Sequence, residues 1–510
     1  MPVLAPALAV AVAVGVLAAA APSPLVVGAG LVGCAVLGLV LWRPTAGILL
    51  FIVVVATLPF GVIPVSIGAQ LTFVDAALIA TFASSLPRLL LLRRHTGRLV
   101  VGAPGTLLLT FVAVAITAFL LGTGAAAITP DLVRRFAKLL ASLALFLVAA
   151  NLLADRRTLF RVAAALMAAG ALAGAVATAL WLLPSGEQLR LLTSLRVVGY
   201  PTSDVLRYVP GANNTYTTQL RAIGTAIDPN VLGGTLMLAL LLTLVQCAAP
   251  RPVLPRAVLV LFAVATLLGV ATSLSRASWL GLAVGSLLIG TYRYRRIWLL
   301  VGLAALALLV APPGRELVAR FVSGFSTADR ATAFRFGEYA NALTIIQRYP
   351  LFGIGFGASP DIDVTAGVSS AYLLVAEQTG LVGLAAYGAT LLATWLVGLR
   401  GLQAATDPRL AGVQAGLLAA ISGALVAGLL DHYFANGSFP HAVALFWLYA
   451  AALVAGARLS RAPDRWPTAG TTPSRRGAKL SPRSTGAGPV APGGRSGART
   501  PRPPGAAPAG

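Results

Sequence analysis

Charge is what this sequence has least of. Asp, Glu, Lys and Arg make up 10% of its 510 residues, against about 25% in an average soluble domain. So few charges cannot cover the surface of a soluble protein of this length. With 58% hydrophobic residues and a mean hydropathy of +0.86, the chain reads as an all-α polytopic membrane protein. Acids are scarcer than bases, 15 against 38, for a net charge of +23. In a soluble protein that excess would suggest nucleic acid. In a membrane protein it must first be sorted by side of the bilayer, and no nucleic-acid partner is expected. Two cysteines, Cys34 and Cys247, sit in apolar stretches and imply neither a disulfide framework nor a metal site. Three histidines, His95, His432 and His441, are too few for haem, multi-histidine zinc or copper chemistry. No metal or cofactor is expected.

What is present is a series of long apolar runs. Spans of about 20 residues are expected near 3–21, 25–42, 46–63, 71–87, 105–121, 136–153, 159–183, 231–248, 257–273, 277–291, 297–312, 380–399, 410–430 and 439–457. Twelve to fourteen helices fit this pattern. The run Val3–Ala21 lacks a basic leader and reads as a first span rather than a cleaved signal peptide. Residues 1–457 form the membrane domain. Its polar segments 184–230 and 313–371 are expected as large loops, and the Pro/Gly/Arg-rich segment 458–510 as a disordered basic tail. The tail reads as a solvated topology anchor, with anionic lipid headgroups as its nearest partner.

The charges then sort. Loops on the side of the termini hold 15 basic residues against two acids, Asp155 and Asp407. The positive-inside rule makes that side, with both termini, cytoplasmic. The tail adds 10 basic residues and one acid; the opposite side holds 13 basic residues and 12 acids. Both large loops then face outward. Arginine at a helix end is costly unless it is paired, snorkelled or facing a polar cavity. Arg134, Arg135, Lys138, Arg221, Arg276 and Arg335 all lie at expected outer helix ends. Pairing with the outer acids is one explanation. An anionic ligand such as a diphosphate, which guanidinium matches bidentately, is the other.

Three stretches resemble the O-antigen ligase and polymerase superfamily of bacterial membrane glycosyltransferases. The first is Arg221-Ala-Ile-Gly-Thr-Ala-Ile-Asp-Pro-Asn-Val-Leu-Gly-Gly234. The second is Thr272-Ser-Leu-Ser-Arg-Ala-Ser-Trp-Leu-Gly281. The third holds Arg335-x-x-x-Tyr339, then Tyr349-Pro-Leu-Phe-Gly-Ile-Gly-Phe-Gly357, then Tyr372-Leu-Leu-Val-Ala-Glu-Gln-Thr-Gly-Leu-Val-Gly383. The resemblance implies a polytopic, metal-independent glycosyltransferase of the bacterial cytoplasmic membrane. It would take glycan from an undecaprenyl-diphosphate donor at the outer face and pass it to a glycan or lipid acceptor. Arg221, Arg276 and Arg335 would hold the diphosphate.

One departure stands out. The family usually has a histidine two to three residues before the Tyr-Leu of the third motif, where this chain has Ser369 and Ser370. A serine cannot take a proton near neutral pH without a partner base. His432, His441, Glu377 and Asp228 are replacement candidates. Each has a plainer reading. Asp228-Pro229 is a normal helix start. Glu377 reads equally as one half of a structural ion pair with an arginine such as Arg276 or Arg335. His432 follows Asp431, and neighbours on a helix do not face each other. Gly353-Ile-Gly-Phe-Gly357 lacks the strand–helix context of a nucleotide loop and reads as a tight turn. A lipid-linked oligosaccharide flippase and a non-catalytic envelope-assembly scaffold are the rival functions.

Overall fold

The computed structural model describes residues 33, 35–63, 70–96, 101–122, 128–210, 216–310, 330–357 and 368–461. The expected first span, half of the second and residues 462–510 of the expected tail lie outside them. Within them the chain is almost wholly helical: α1 (Pro44–Thr57), α2 (Phe73–Thr96), α3 (Gly102–Leu121), α4 (Pro130–Leu152), α5 (Arg156–Leu182), α6 (Ser185–Ser194), α7 (Pro229–Ala248), α8 (Arg256–Ser273), α9 (Arg276–Tyr292), α10 (Arg296–Val310), α11 (Arg330–Arg348), α12 (Ala371–Ala404), α13 (Pro408–Ala427) and α14 (Pro440–Arg461). Among the described residues seven helices, α3, α5, α7, α8, α12, α13 and α14, are long and apolar enough to cross a membrane. The expected spans at α1, α9 and α10 are shorter, at 14, 17 and 15 residues. The expected loop 184–230 is structured: α6 is followed by an antiparallel hairpin, β1 (Arg207–Pro210) and β2 (Tyr216–Arg221). The expected loop 313–371 contains α11.

Helix starts follow from local chemistry. Thr129, Asp155, Asp228 and Asp407 each cap a helix with a side-chain oxygen. Proline follows at the first helical position of α4, α7 and α13, where its missing N–H is no loss. Helices α7, α13 and α14 are apolar on nearly every side and form the centre of the core. Threonine hydroxyls inside the bundle bond back to the preceding turn, as Thr243 does to Ala239 and Thr394 to Thr390. An apolar surrounding leaves them no water. Small residues bring helices close. A Cβ at Gly281 on α9 would lie 2.5 Å from the Gly423 carbonyl on α13. The periphery exposes Leu120, Leu261 and Leu303, which suits a lipid surround.

The ends of the bundle differ in chemistry. At one, Arg156 pairs with Asp407 at 3.4 Å, and Arg458 donates to the Ala150 and Leu153 carbonyls at the end of α4. At the other, where α7 begins and α13 ends, lie Arg221, Asp228 and Asp431.

Candidate functional site

The site forms where β2, the starts of α7 and α9, α11, and the turn after α13 meet. Arg221 closes β2. Its Nε donates to the Ser273 carbonyl at 2.9 Å, and a terminal guanidinium nitrogen donates to Asn230 Oδ1 at 2.6 Å. The first two motifs are thus tied through one side chain. The carboxylates of Asp228 and Asp431 and the guanidinium groups of Arg335 and Arg276 all act on Arg221 electrostatically. Burial is the largest influence and pulls its pKa down to about 10, so it stays charged at neutral pH. The three arginines singled out by the sequence therefore share one neighbourhood, with the carboxylates of Asp228, Asp431 and Glu338 beside them.

Asp431 is the centre that sequence reasoning missed. It is 6% exposed and sits in the non-helical turn after Ala427. One carboxylate oxygen lies 4.0 Å from Arg335 and the other 3.6 Å from His432 Nδ1. The same Asp431 Oδ1 accepts the His432 backbone N–H at 2.9 Å. The objection that adjacent residues cannot face each other holds on a helix, and this segment is not one. Burial holds the Asp431 carboxyl above its usual range, opposed by His432 and Arg335. His432 Nδ1 is buried without a hydrogen-bond partner.

Helix α11 explains the Arg335-x-x-x-Tyr339 spacing, one helical turn. Arg335 reaches Asp431, while Tyr339 Oη donates to the Ser369 carbonyl at 3.0 Å and the Leu429 carbonyl at 3.3 Å. Between them, Glu338 accepts the Ser369 N–H at 3.0 Å. The segment carrying Ser369 is thereby pinned beside the turn carrying Asp431. The Ala371 N–H completes the join, bonding the Gly428 and Asp431 carbonyls at 2.8 and 3.1 Å.

Of the remaining candidates, Glu377 and His441 fall elsewhere, while Asp228 stays at the cluster. Asp228 caps α7, accepting the Asn230 and Val231 N–H groups, so its structural reading holds. Among the described residues Glu377 makes no ion pair with Arg276 or Arg335; its carbonyl instead accepts the Ile354 N–H at 2.9 Å. His441 is 2% exposed, packed 4.7 Å from the Phe60 ring. Arg134 and Arg135 pair with Asp131, and Lys138 pairs with Asp75 at 2.7 Å, so these outer cations have the plain explanation. Gly353 and Gly380 have φ of 66° and 69°. A Cβ on Gly353 would run into the Glu377 carbonyl, and one on Gly380 into the Leu351 carbonyl. The glycine-rich stretch is thus a turn locked onto α12 by backbone contact.

Two larger residues near the cluster also sit in the left-handed region, Ile227 (φ 62°) and Leu274 (φ 54°). For a β-branched residue this is costly. Ile227 directly precedes Asp228, and Leu274 lies between Ser273 and Arg276. The strain is borne where the arginines are positioned.

Comparison with known proteins bears on this arrangement. Residues 261–388 match the family model described as O-antigen ligase. No curated protein matches the chain. A solved structure described as "Structural coordination of polymerization and crosslinking by a peptidoglycan synthase complex" aligns over 69% of this chain and 96% of its own. The identity is 23% and the TM-score 0.32, too low to carry an argument. The matched segment holds Arg276, Arg335, Ser369 and Ser370, while Arg221 and Asp431 lie outside it. The matched residues run from α8 to the middle of α12, in a chain whose described residues include seven helices of membrane-crossing length.

Proposed function

We propose that the chain takes glycan from a polyprenyl-diphosphate carrier at the outer face of the cytoplasmic membrane. It passes the glycan to a glycan or lipid acceptor for cell-surface polysaccharide. The O-antigen ligase match supports glycan transfer. The observation that carries the diphosphate reading is the convergence of Arg221, Arg276 and Arg335 on one neighbourhood. Guanidinium groups pre-placed in a partly dry site stabilise the charge that develops on a diphosphate leaving group. Asp431 lies 4.0 Å from Arg335 and Asn230 Oδ1 accepts from Arg221 at 2.6 Å, so two of the guanidinium groups are pre-placed. On this reading the cluster end faces outward and both termini face the cytoplasm.

The test is the purified chain given a polyprenyl-diphosphate oligosaccharide, with Arg221→Ala, Arg276→Ala and Arg335→Ala beside it. Transfer by the parent and its loss in the variants, at equal membrane expression, supports the reading. Unchanged transfer in all three variants sinks the arginine assignment. Transport without transfer would favour an exporter. The serines at 369 and 370, where the family usually has histidine, favour a non-catalytic scaffold as second reading. It predicts neither transfer nor transport.

A further inference from the structure

The departure at Ser369 and Ser370 leaves the site short of a group that can take a proton. The structure brings the turn that leads into His432 against the same spot from another segment. Tyr339 Oη bonds both the Ser369 and the Leu429 carbonyls, and the Ala371 N–H bonds the Asp431 carbonyl. The histidine next in sequence, His432, is therefore held one residue from the turn that touches the start of α12. Its ring packs 6.1 Å from the Phe439 ring on one side. Its Nδ1 points inward, 3.6 Å from Asp431 Oδ1, with no other partner. The side chain remains 21% exposed, which leaves Nε2 for an incoming group.

We propose that His432, oriented by Asp431, accepts the proton of the acceptor hydroxyl, taking from the 428–439 turn the task that a histidine near position 369 would perform. The inference rests on the glycan-transfer reading. In the step, the acceptor oxygen forms a bond to the anomeric carbon of the donor sugar and its proton moves to His432 Nε2. The bond from that carbon to the diphosphate oxygen breaks, and its electron pair leaves with the diphosphate among the arginines. The proton on His432 then returns to solvent. Asp431 is a positioning residue: its Oδ1 accepts the His432 backbone N–H at 2.9 Å and lies 3.6 Å from the ring Nδ1. The charged and titratable groups facing the pair are Arg335 and Tyr339 on α11, Arg221 on β2, Asp228 at the start of α7, and Tyr433, with His441 beyond Phe439.

The test uses the full chain in membranes with a polyprenyl-diphosphate oligosaccharide as probe, reading donor binding and turnover against pH. His432→Gln is expected to bind the donor within about twofold of the parent, to turn over about 100-fold more slowly, and to lose the acid limb of the pH–rate profile. Asp431→Asn should slow turnover about tenfold while leaving the donor KM within about twofold of the parent, a loss confined to kcat. Ser369→His added to His432→Gln should restore about tenfold of the rate together with an acid limb. Turnover by His432→Gln within about fivefold of the parent overturns the proposal. So does a loss accompanied by weakened donor binding that Ser369→His leaves untouched. A parent that neither binds nor consumes the donor instead overturns the glycan-transfer reading, and this inference with it.

Discussion

Arg221 and Ser273 lie 52 residues apart in sequence, yet the guanidinium Nε donates to the serine carbonyl at 2.9 Å. This bond fixes the hairpin to the α8–α9 turn, while a terminal guanidinium nitrogen donates to Asn230 Oδ1 at 2.6 Å. Lysine cannot reproduce two bonds in one plane. Arg221→Lys should therefore lose most of the diphosphate affinity although the charge remains. Arg221→Ala should slow transfer about 100-fold or more, the usual effect of removing one donor that stabilises a leaving group. Titrating the purified variants with a polyprenyl diphosphate checks both. Full affinity in Arg221→Lys would mean that only charge matters there.

Asp431 gives a pH-dependent signature. Burial raises its carboxyl above the usual value of 3.8. A carboxyl raised on folding adds stability that is complete below the unfolded value and is lost as pH rises through the folded one. At neutral pH the ionised group therefore weakens the fold. Asp431→Asn should melt a few degrees higher than the parent at pH 7. That gain should vanish near about pH 3, where both states of the parent bind the proton. Thermal melts in detergent across that range decide it; a lower melting temperature at pH 7 would show that pairing with Arg335 outweighs burial.

The three arginines were legible because each interrupts an apolar pattern at a helix end, and the motif order linked them. Asp431 was not, because its partners come from α11, β2 and the α7 cap, which only tertiary structure unites. The spacing argument against an Asp431–His432 pair assumed a continuing helix. The chain instead leaves α13 at Ala427 and turns through 428–439. The hairpin Arg207–Arg221 was hidden for a similar reason: short strands in a Gly/Asn/Thr-rich stretch carry no clear period-two pattern. Helix α12 was placed from 380, and its break does fall at Gly380.

That break makes a sharp prediction. Gly380 holds φ 69° and ψ −174°, a combination open essentially to glycine alone. Any side chain there would also strike the Leu351 carbonyl. Gly380→Ala should leave little folded protein in the membrane. Gly388, on the same helix with nothing within 4 Å of its missing Cβ, is the control. Gly388→Ala should gain about 0.5–1 kcal/mol from lower backbone entropy. Comparing expression and melting of the two variants is sufficient, and a well-folded Gly380→Ala chain would show that the interlock with the 349–357 turn is dispensable.

Tyr339 separates positioning from stability. Its hydroxyl is a single donor shared between the Ser369 and Leu429 carbonyls, and burial pushes its pKa up, so it remains a donor. Tyr339→Phe keeps the ring and its edge contact with Phe336, 6.4 Å between centroids, and removes only the hydrogen bond. The fold should lose about 1 kcal/mol. The site should lose more, because α11 carries Arg335 and the freed helix end no longer holds that guanidinium against Asp431. Transfer is expected to fall about tenfold, with the loss mostly in turnover. Kinetics at saturating donor provide the check: a change confined to melting temperature would reduce Tyr339 to a packing residue.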